Sequence, residues 1–278
     1  MTDGVRMVEA RELKACCAQL YSNEWVRTLV GESLHPGGLE LTRRLGHLLG
    51  LGPGRTLLDV ACGPGTSAIW LARELDCKVM GVDYAQRSIA AARHSAAASG
   101  VSTLVWFLRG DAEHLPLPDS SFDAVICECS FCTFPDKPAA AREIFRVLRP
   151  GGRLGLADLV RSGPLPAELE SLLGWVACIA DARPIAEYRS TLEDSGFVVE
   201  LVEGHDTALV TLVDGIRRRL VGAQLGSGLG KLDLPGIDFP AATSMARSAA
   251  RAIEERCLGY ALLVATKPTT GYVEVSNR

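Results

Sequence analysis

Two glycines behind a carboxylate could form a turn that binds a cofactor. Residues 59–65 read DVACGPG and lie between a short apolar run and a helical pattern that begins near Ala68. Glycine carries no Cβ, so Gly63 and Gly65 would let the backbone approach a ligand closely. The same spacing fits the dinucleotide fingerprint, and a purely structural turn is the alternative. The loop by itself therefore predicts only a nucleotide-like cofactor.

Carboxylates at the ends of neighbouring predicted strands extend this candidate site. Asp59 ends the first strand, and Asp83 ends the second, directly before Tyr84. Asp111 and Ala112 follow the third strand. The carboxyl ends of parallel strands meet at one edge of a sheet, where ligands bind, and Asp83 is placed there to accept hydrogen bonds from ribose hydroxyls. A helix cap or a solvated strand end is the alternative for each of these residues.

Three cysteines surround the end of the fourth predicted strand. Cys127 and Cys129 lie two residues apart, so their side chains share one face as long as the chain stays extended, and Cys132 follows. Cysteine is among the most buried residue types, which favours a packing role for Cys127 inside the strand. Cys129 falls just beyond the strand, where a reactive group is expected, and thiolates bind soft metals and metalloids.

Short apolar runs that alternate with helical patterns must position these residues. The runs are nearly continuous, as is typical of parallel strands buried on both faces. They cover residues 56–60, 78–82, 104–107, 124–127 and 153–157, and the helical patterns between them cover 68–75, 88–98 and 139–148. This order predicts an α/β fold with a Rossmann-like, doubly wound, mostly parallel sheet.

Helical patterns flank this core on both sides. Residues 10–30 and 39–49 read as amphipathic helices, which predicts an N-terminal helical cap over residues 1–50. Downstream come, in order, a helix over 187–195, a strand over 197–202, a mostly helical stretch with glycine breaks over 207–256 and a last strand over 260–266. We therefore expect a cofactor-binding core over residues 51–162. Over residues 163–278 we expect a substrate-side elaboration, with a helical insertion before the last strand, that completes the sheet.

Composition excludes several classes of function. The 278 residues are 47% hydrophobic and 22% charged, which is typical of a globular protein with a full core. The net charge of -4 and the lack of a basic run argue against nucleic acid as a partner. The start of the chain is charged and has no apolar stretch of signal-peptide length, and no segment is apolar for long enough to span a bilayer. We expect a cytoplasmic protein without a membrane partner, whose nine cysteines are thiols.

Taken in order, these motifs resemble those of class I S-adenosylmethionine-dependent methyltransferases over roughly residues 57–159. The resemblance implies S-adenosylmethionine as the cofactor. It implies a binding set formed by Asp59, Ala61, Gly63, Gly65, Asp83, Tyr84, Asp111 and Ala112. In that set, Asp59 faces the amino-acid ammonium, Asp83 the ribose and Asp111 the adenine amino group. Ala61 stands where many members carry glycine, and alanine is tolerated there if its φ is negative.

The segment around the fourth strand is similar to that of arsenite S-adenosylmethionine methyltransferases. In that family a cysteine stands six residues before a Pro-Asp-Lys motif, as Cys129 does before Pro135, and a second family cysteine matches Cys178. A third, upstream cysteine of the family corresponds to Cys16 or Cys17. The resemblance implies that Cys129 and Cys178 are catalytic and that they bind trivalent arsenic together with Cys17. Thiolates favour this soft centre, whose lone pair can attack a methyl group without a general base, so orientation supplies much of the acceleration.

Two other functions remain open. One is a small-molecule O-, N-, C- or S-methyltransferase with structural cysteines, in which case His205 and Glu128 are candidate bases. The other is a metalloid-binding protein of the same fold without turnover. If the chain is an arsenite methyltransferase, serine in place of Cys129 or Cys178 would abolish methylation. If the cysteines are structural, the true substrate should still be methylated. In every case the partner is a small molecule, and the sequence does not determine the oligomeric state.

Overall fold

Strands and helices alternate through the part of the chain that the computed structural model describes, which is residues 12, 14–17, 28–31, 33–170, 179–228 and 238–269. The helices are α1 (Gly38–Leu48), α2 (Thr66–Leu75), α3 (Gln86–Ala98), α4 (Lys137–Val147), α5 (Ile185–Asp194), α6 (Asp206–Gly228) and α7 (Phe239–Glu254). The strands are β1 (Thr56–Val60), β2 (Lys78–Asp83), β3 (Val105–Arg109), β4 (Phe122–Glu128), β5 (Leu148–Arg161), β6 (Val198–Gly204) and β7 (Leu258–Thr266). Short 3-10 helices cover Phe131–Thr133 and Ala167–Glu170.

Seven strands form one sheet in the order β3-β2-β1-β4-β5-β7-β6. β1 pairs in parallel with β2 and β4, and β4 pairs in parallel with β5. β7 runs antiparallel to both of its neighbours, β5 and β6. The strand order changes direction between β1 and β4, so a crevice opens there beyond the carboxyl ends of the strands. The doubly wound, mostly parallel sheet expected from the sequence is therefore confirmed.

The central strands are apolar on both sides because helices cover both faces of the sheet. Leu57, Leu58 and Val60 of β1 are fully buried, as are Val125 and Ile126 of β4. Full burial of such a side chain contributes about 1.5–3 kcal/mol relative to exposure. The sheet is therefore a rigid base for the turns that follow its strands.

Helix α1 packs directly onto the sheet. Leu41 and Leu45 on its apolar face are buried. A Cβ placed on Gly155 of β5 would lie 2.5 Å from Leu45 Cδ1. The glycine therefore permits the close approach of this helix, which also carries Thr42 to the carboxyl edge of the sheet.

The C-terminal helices are less interrupted than the glycine pattern predicts. Helix α6 continues through Gly215 and Gly222, so glycine does not interrupt the helix at these two positions. Strand β5 extends to Arg161, beyond the expected end, because β7 pairs with it in antiparallel register as far as Leu258. The interval between α6 and α7 lies outside the described residues.

The N-terminal segment is described only in part. Of the helix expected over residues 10–30, residues 12, 14–17 and 28–30 are described, and all are helical. Leu29 packs with Leu220 of α6 and Ala246 of α7, and its carbonyl accepts a hydrogen bond from Arg219 Nη1 at 2.9 Å. Across the described ranges, no helix has both the length and the apolar character needed to cross a membrane.

Candidate cofactor and acceptor pocket

A pocket opens beyond the carboxyl ends of four neighbouring strands. Its walls come from the turns after β1, β2, β3 and β4, from residues that precede α1 and from the N-terminal segment. The lining side chains include three thiols, five ionisable or imidazole groups beside a lysine, and several hydroxyls: Cys17, Cys62, Cys129, Lys14, His35, Asp59, Asp83, Asp111, Glu128, Ser33, Thr66, Ser67, Tyr84, Ser88, Ser130 and Thr133. Seven of the eight predicted cofactor residues line this pocket, and Gly65 lies behind them.

The turn after β1 adopts left-handed backbone conformations. The φ angle is +59° at Ala61, +53° at Gly63 and +81° at Gly65. The negative φ that would let alanine fit without cost is therefore absent at Ala61, and alanine there carries backbone strain of about 1–2 kcal/mol. A Cβ on Gly65 would lie 2.6 Å from Phe107 Cζ, whereas one on Gly63 would meet nothing within 4 Å. Packing therefore requires the glycine at 65, and the backbone at Gly63 is open to a ligand.

Asp83 connects the end of β2 to this turn. Its Oδ2 accepts a hydrogen bond from the Gly63 N–H at 2.8 Å, and its Oδ1 accepts one from the Ala85 N–H at 2.7 Å. Burial raises the pKa of Asp83, although these two backbone donors oppose the shift. Each carboxylate oxygen can accept more than one hydrogen bond, so the carboxylate can still bind hydroxyls of a ligand in the pocket.

Two buried carboxylates lie at the adjacent ends of β1 and β4. Asp59 is only 3% exposed, and its Oδ2 has no hydrogen-bond partner among the described residues. Burial raises the pKa of Asp59 well above its usual range, and the negative charges of Glu128 and Asp83 raise it further. A buried polar atom without a partner is costly. Asp59 is therefore suited to a ligand that brings a donor or a positive charge.

Buried polar side chains from three elements orient Glu128. Thr42 Oγ1 on α1 donates to Glu128 Oε1 at 2.9 Å, and Ser67 Oγ on α2 donates to Oε2 at 2.7 Å. His35 Nε2 lies 3.6 Å from Oε2. These three neighbours are not among the site residues predicted from the sequence. For Thr42 a signal is present, because a polar residue beside Leu41 interrupts the apolar face of α1.

Asp111 lies in the pocket and is bound by Lys14 of the N-terminal segment. Lys14 Nζ donates to Asp111 Oδ2 at 2.8 Å and also to the carboxylate of Glu113. Burial lowers the pKa of Lys14, but the hydrogen bonds to both carboxylates raise it, and the net pKa is above the usual value. The carboxylate expected to face the adenine is thus oriented by a salt bridge. No sequence signal distinguishes Lys14 from other lysines.

Cys129 lines the pocket from the end of β4 in a left-handed conformation, with φ of +52°. Its N–H donates to the Ala157 carbonyl at 2.7 Å, and that carbonyl also accepts from Tyr260 Oη at 3.1 Å. The chain therefore leaves the extended conformation at Cys129, so the condition under which Cys127 and Cys129 would share one face is not met. Cys127 is fully buried, and burial raises the pKa of its thiol well above the usual value. Its expected packing role is confirmed.

The other thiols predicted at the site differ in how far the structure describes them. Cys17 lines the pocket, and Cys16 is not among its lining residues. Cys178 lies outside the described residues. Within the described part of the chain, no group of three or more His, Cys, Asp or Glu side chains could hold a metal ion. The structure thus brings Cys17 and Cys129 to one pocket, which the buried Cys62 of the turn after β1 also lines.

His205 lies away from this pocket. It follows β6, its Nε2 is 3.3 Å from Glu203 Oε2, and its N–H donates to the Tyr260 carbonyl at 2.7 Å. It is not among the lining residues, so the expectation that His205 is a candidate base at this site is wrong. Glu128 is the candidate base that does lie in the pocket.

Comparisons with known proteins indicate a methyltransferase. Residues 58–156 match a family described as a methyltransferase domain. The chain is 34% identical over 261 residues to 27-O-demethylrifamycin SV methyltransferase from Amycolatopsis mediterranei, a match that covers 86% of this chain and 92% of that protein. It is 32% identical over 183 residues to arsenite methyltransferase from Halobacterium salinarum, covering 64% of this chain and 46% of that protein.

A similar fold occurs in the structure of phosphoethanolamine N-methyltransferase 2 from Haemonchus contortus in complex with phosphomonomethylethanolamine and S-adenosylhomocysteine. The TM-score is 0.77 at 20% identity, and the match covers 95% of this chain and 61% of that one. At this level of identity the likeness concerns the fold alone. The named acceptors of these similar proteins differ widely, so similarity alone does not identify the acceptor of this chain.

Proposed function

The chain belongs to the class I S-adenosylmethionine-dependent methyltransferases, and from that premise we propose that its acceptor is trivalent arsenic held by thiolates in the pocket. S-adenosylmethionine supplies a methyl group on a positively charged sulfur. The pocket fits this cofactor, because the backbone at Gly63 is open and Asp59 has an unpartnered buried oxygen. In this proposal Asp59 binds the amino-acid end, Asp83 the ribose and Asp111 the adenine.

Thiols from separate segments that meet in one pocket support the acceptor. Cys129 comes from the end of β4 and Cys17 from the N-terminal segment. A third lining thiol, Cys62, is buried, and burial and the charge of Asp59 raise its pKa well above the usual value, so it is not proposed as a ligand. Thiolates prefer soft centres such as trivalent arsenic. Tyr260 and Cys129 donate to the same carbonyl of Ala157, so β5 and β7 fix the backbone that carries Cys129. On the resemblance to arsenite methyltransferases, Cys178 is proposed as a further ligand.

The proposed step needs little acid-base chemistry from the protein. Cys129 and Cys17 hold the arsenic and direct its lone pair at the methyl group. The lone pair becomes the new As–C bond, and the electron pair of the broken S–CH3 bond stays on sulfur. The acceptor loses no proton, so no side chain acts as a base. The contribution of the protein is then position, and a misplacement of about 1 Å can cost about 100-fold in rate.

Serine variants of the pocket thiols test this proposal. The protein is incubated with S-adenosylmethionine, arsenite and glutathione, and methylated arsenic is measured. Cys129→Ser should lower the rate of arsenic methylation by about 100-fold or more, and Cys17→Ser should also lower that rate. Cys16→Ser and Cys257→Ser are matched controls, because neither residue lines the pocket, and both should methylate at the wild-type rate. Arsenic products no higher than in a no-enzyme control would contradict the proposed acceptor and leave the methyltransferase assignment unchanged.

A second candidate function is methylation of a hydroxyl on a small organic molecule. It is favoured by the similarity to the rifamycin-modifying enzyme, which extends over 92% of that protein. In that case Glu128, beside His35, accepts the hydroxyl proton and the pocket thiols only pack. Release of S-adenosylhomocysteine from a panel of hydroxylated compounds measures this activity. Cys129→Ser should then turn over at a rate close to wild type, which is the opposite of the result expected for arsenite.

A further inference from the structure

The inner end of the pocket, formed by Asp59 and Glu128, carries negative charge without a lysine or arginine to balance it. Among the lining residues that the structure describes, Lys14 is the one lysine or arginine, and it is bound to Asp111 and Glu113. Asp59 pairs in register with Ile126, two residues before Glu128, and both carboxylates line the pocket. Such an arrangement favours a cationic ligand.

Neutral donors hold Glu128 in place without cancelling its charge. The side chain is 5% exposed. Thr42 Oγ1 lies 2.9 Å and 3.1 Å from its two oxygens, and Ser67 Oγ lies 2.7 Å from Oε2. These donors are neutral hydroxyl groups, so they orient the carboxylate without supplying a positive charge. A buried anion without a full counter-charge is costly, and such costs are typical of binding sites.

His35 can supply at most one positive charge to this group. Its Nδ1 lies 3.2 Å from the Pro36 carbonyl, which can only accept, so Nδ1 carries a hydrogen. Its Nε2 faces Glu128 Oε2, and a neutral ring would direct a lone pair at that oxygen. The two carboxylates therefore outnumber the single positive charge that His35 could carry, and Asp59 Oδ2 has no partner among the described residues.

We propose that Glu128 is a specificity-determining contact for the cofactor, in which its carboxylate and that of Asp59 jointly accept hydrogen bonds from the amino-acid ammonium. The ammonium has three N–H donors, and Asp59 Oδ2 accepts no hydrogen bond from any described residue. Thr42, Ser67 and His35 are positioning residues that act through Glu128. The assignment uses the cofactor of the family and is independent of the acceptor. It also differs from a role of Glu128 as a base, because it requires contact with the cofactor before any reaction.

Binding of two ligands that differ only in the amino group tests the proposal. S-adenosylhomocysteine and its analogue without the amino group are titrated calorimetrically into wild type and Glu128→Gln. For wild type, loss of the amino group should weaken binding by about 10- to 100-fold, the effect typical of a hydrogen bond to a charged group. Glu128→Gln should weaken S-adenosylhomocysteine by a similar factor and leave the analogue almost unchanged. Glu200→Gln is the matched control, because Glu200 lies on β6 outside the pocket, and it should bind both ligands like wild type.

Three results would overturn the proposal. Equal loss of both ligands in Glu128→Gln would mean that the residue only maintains the shape of the pocket. Unchanged binding of both ligands with a reduced rate of methyl transfer would make Glu128 a base. Unchanged binding and rate would exclude either role. If Glu128→Gln fails to fold, Thr42→Val decides in its place. That variant keeps the charge of Glu128 but removes one orienting donor, so it should weaken S-adenosylhomocysteine by more than the analogue.

Discussion

Asp59 shows at the level of a single residue how binding and stability oppose each other in this pocket. Burial and the charge of Glu128 hold the folded-state pKa of Asp59 well above its usual range. The folded chain therefore binds a proton at Asp59 more tightly than the unfolded chain does. Stability falls as the pH rises from the ordinary aspartate value through the folded-state pKa. The Asp59 carboxylate therefore does not stabilise the fold, and its role is to bind the ligand.

Asp59→Asn should stabilise the unliganded protein and weaken the binding of S-adenosylhomocysteine. The amide has nearly the same shape but no charge, so its burial is less costly. We expect a rise in melting temperature of a few degrees at pH 8, given about 2–4 °C per kcal/mol for chains of roughly this size. The difference should disappear below about pH 4, where Asp59 is protonated in both folded and unfolded chains. Calorimetric melting at pH 4, 6 and 8 measures it.

The control for that series is Asp194→Asn, at an exposed position at the end of α5. It should melt like the wild type at each pH. A lower melting temperature for Asp59→Asn at pH 8 would contradict the charge argument, since it would mean that the carboxylate stabilises the empty pocket.

Residue types at the site could be predicted from the sequence, but backbone angles could not. Asp59 and Asp83 are recognisable because each ends an apolar strand. The left-handed conformations of Ala61 and Cys129 depend on contacts made by other parts of the chain. For Cys129, the contact is the carbonyl of Ala157 on the next strand. The network around Glu128 was missed for the same reason, because its donors are 61 and 86 residues away along the chain.

At the level of whole elements, the apolar pattern predicted the order and type of helices and strands, and tertiary contacts set several of their ends. Strand β5 is long because β7 pairs along it. Helix α6 passes through Gly215 and Gly222 because a helical glycine costs only about 1 kcal/mol, which packing can exceed. Leu220 of α6 packs against Ala246 of α7 and supplies such packing. A glycine is therefore a weak signal for the end of a helix that packs one face against the rest of the protein.

Two glycine-to-alanine variants should change stability in opposite directions. Gly222 is exposed within α6, and a Cβ there would meet nothing within 4 Å, so Gly222→Ala should stabilise the fold by about 0.5–1 kcal/mol. At Gly155 a Cβ would lie 2.5 Å from Leu45 Cδ1, so Gly155→Ala should destabilise it by about 1–3 kcal/mol. The free energy of unfolding in urea measures both. A stabilising effect at Gly155 would show that α1 does not pack on β5 as described.

On the scale of the whole molecule, we propose that residues 1–50 cover the cofactor, that 51–162 bind it and that 163–278 provide the acceptor side. These parts share one hydrophobic core. Leu45 from the first part and Leu263 from the third belong to the same cluster as Leu58. The division is therefore functional, and the parts are not expected to fold separately. Lys14 joins the N-terminal segment to the pocket through the carboxylates of Asp111 and Glu113.

Lys14→Met should loosen the N-terminal segment and weaken cofactor binding together. The methionine keeps much of the apolar stem but leaves the carboxylates of Asp111 and Glu113 without their shared cation. Because the pair is partly exposed, we expect a loss of only about 3- to 10-fold in the affinity for S-adenosylhomocysteine. Amide exchange of residues 14–17 should become faster. High salt should weaken binding to the wild type and have little effect on the variant, since salt screens the contact that the variant lacks.

Arg44→Met is the matched control for this experiment. Arg44 also pairs with a carboxylate, that of Glu203, but neither residue lines the pocket. Its loss should leave both the affinity for S-adenosylhomocysteine and the exchange of residues 14–17 unchanged. If Lys14→Met exchanged faster while binding with wild-type affinity, the N-terminal segment would be attached to the pocket without contributing to it, and the covering role of residues 1–50 would be wrong. Equal effects of both variants would instead indicate a general response to the loss of positive charge, because only the Lys14 salt bridge connects to a predicted cofactor residue.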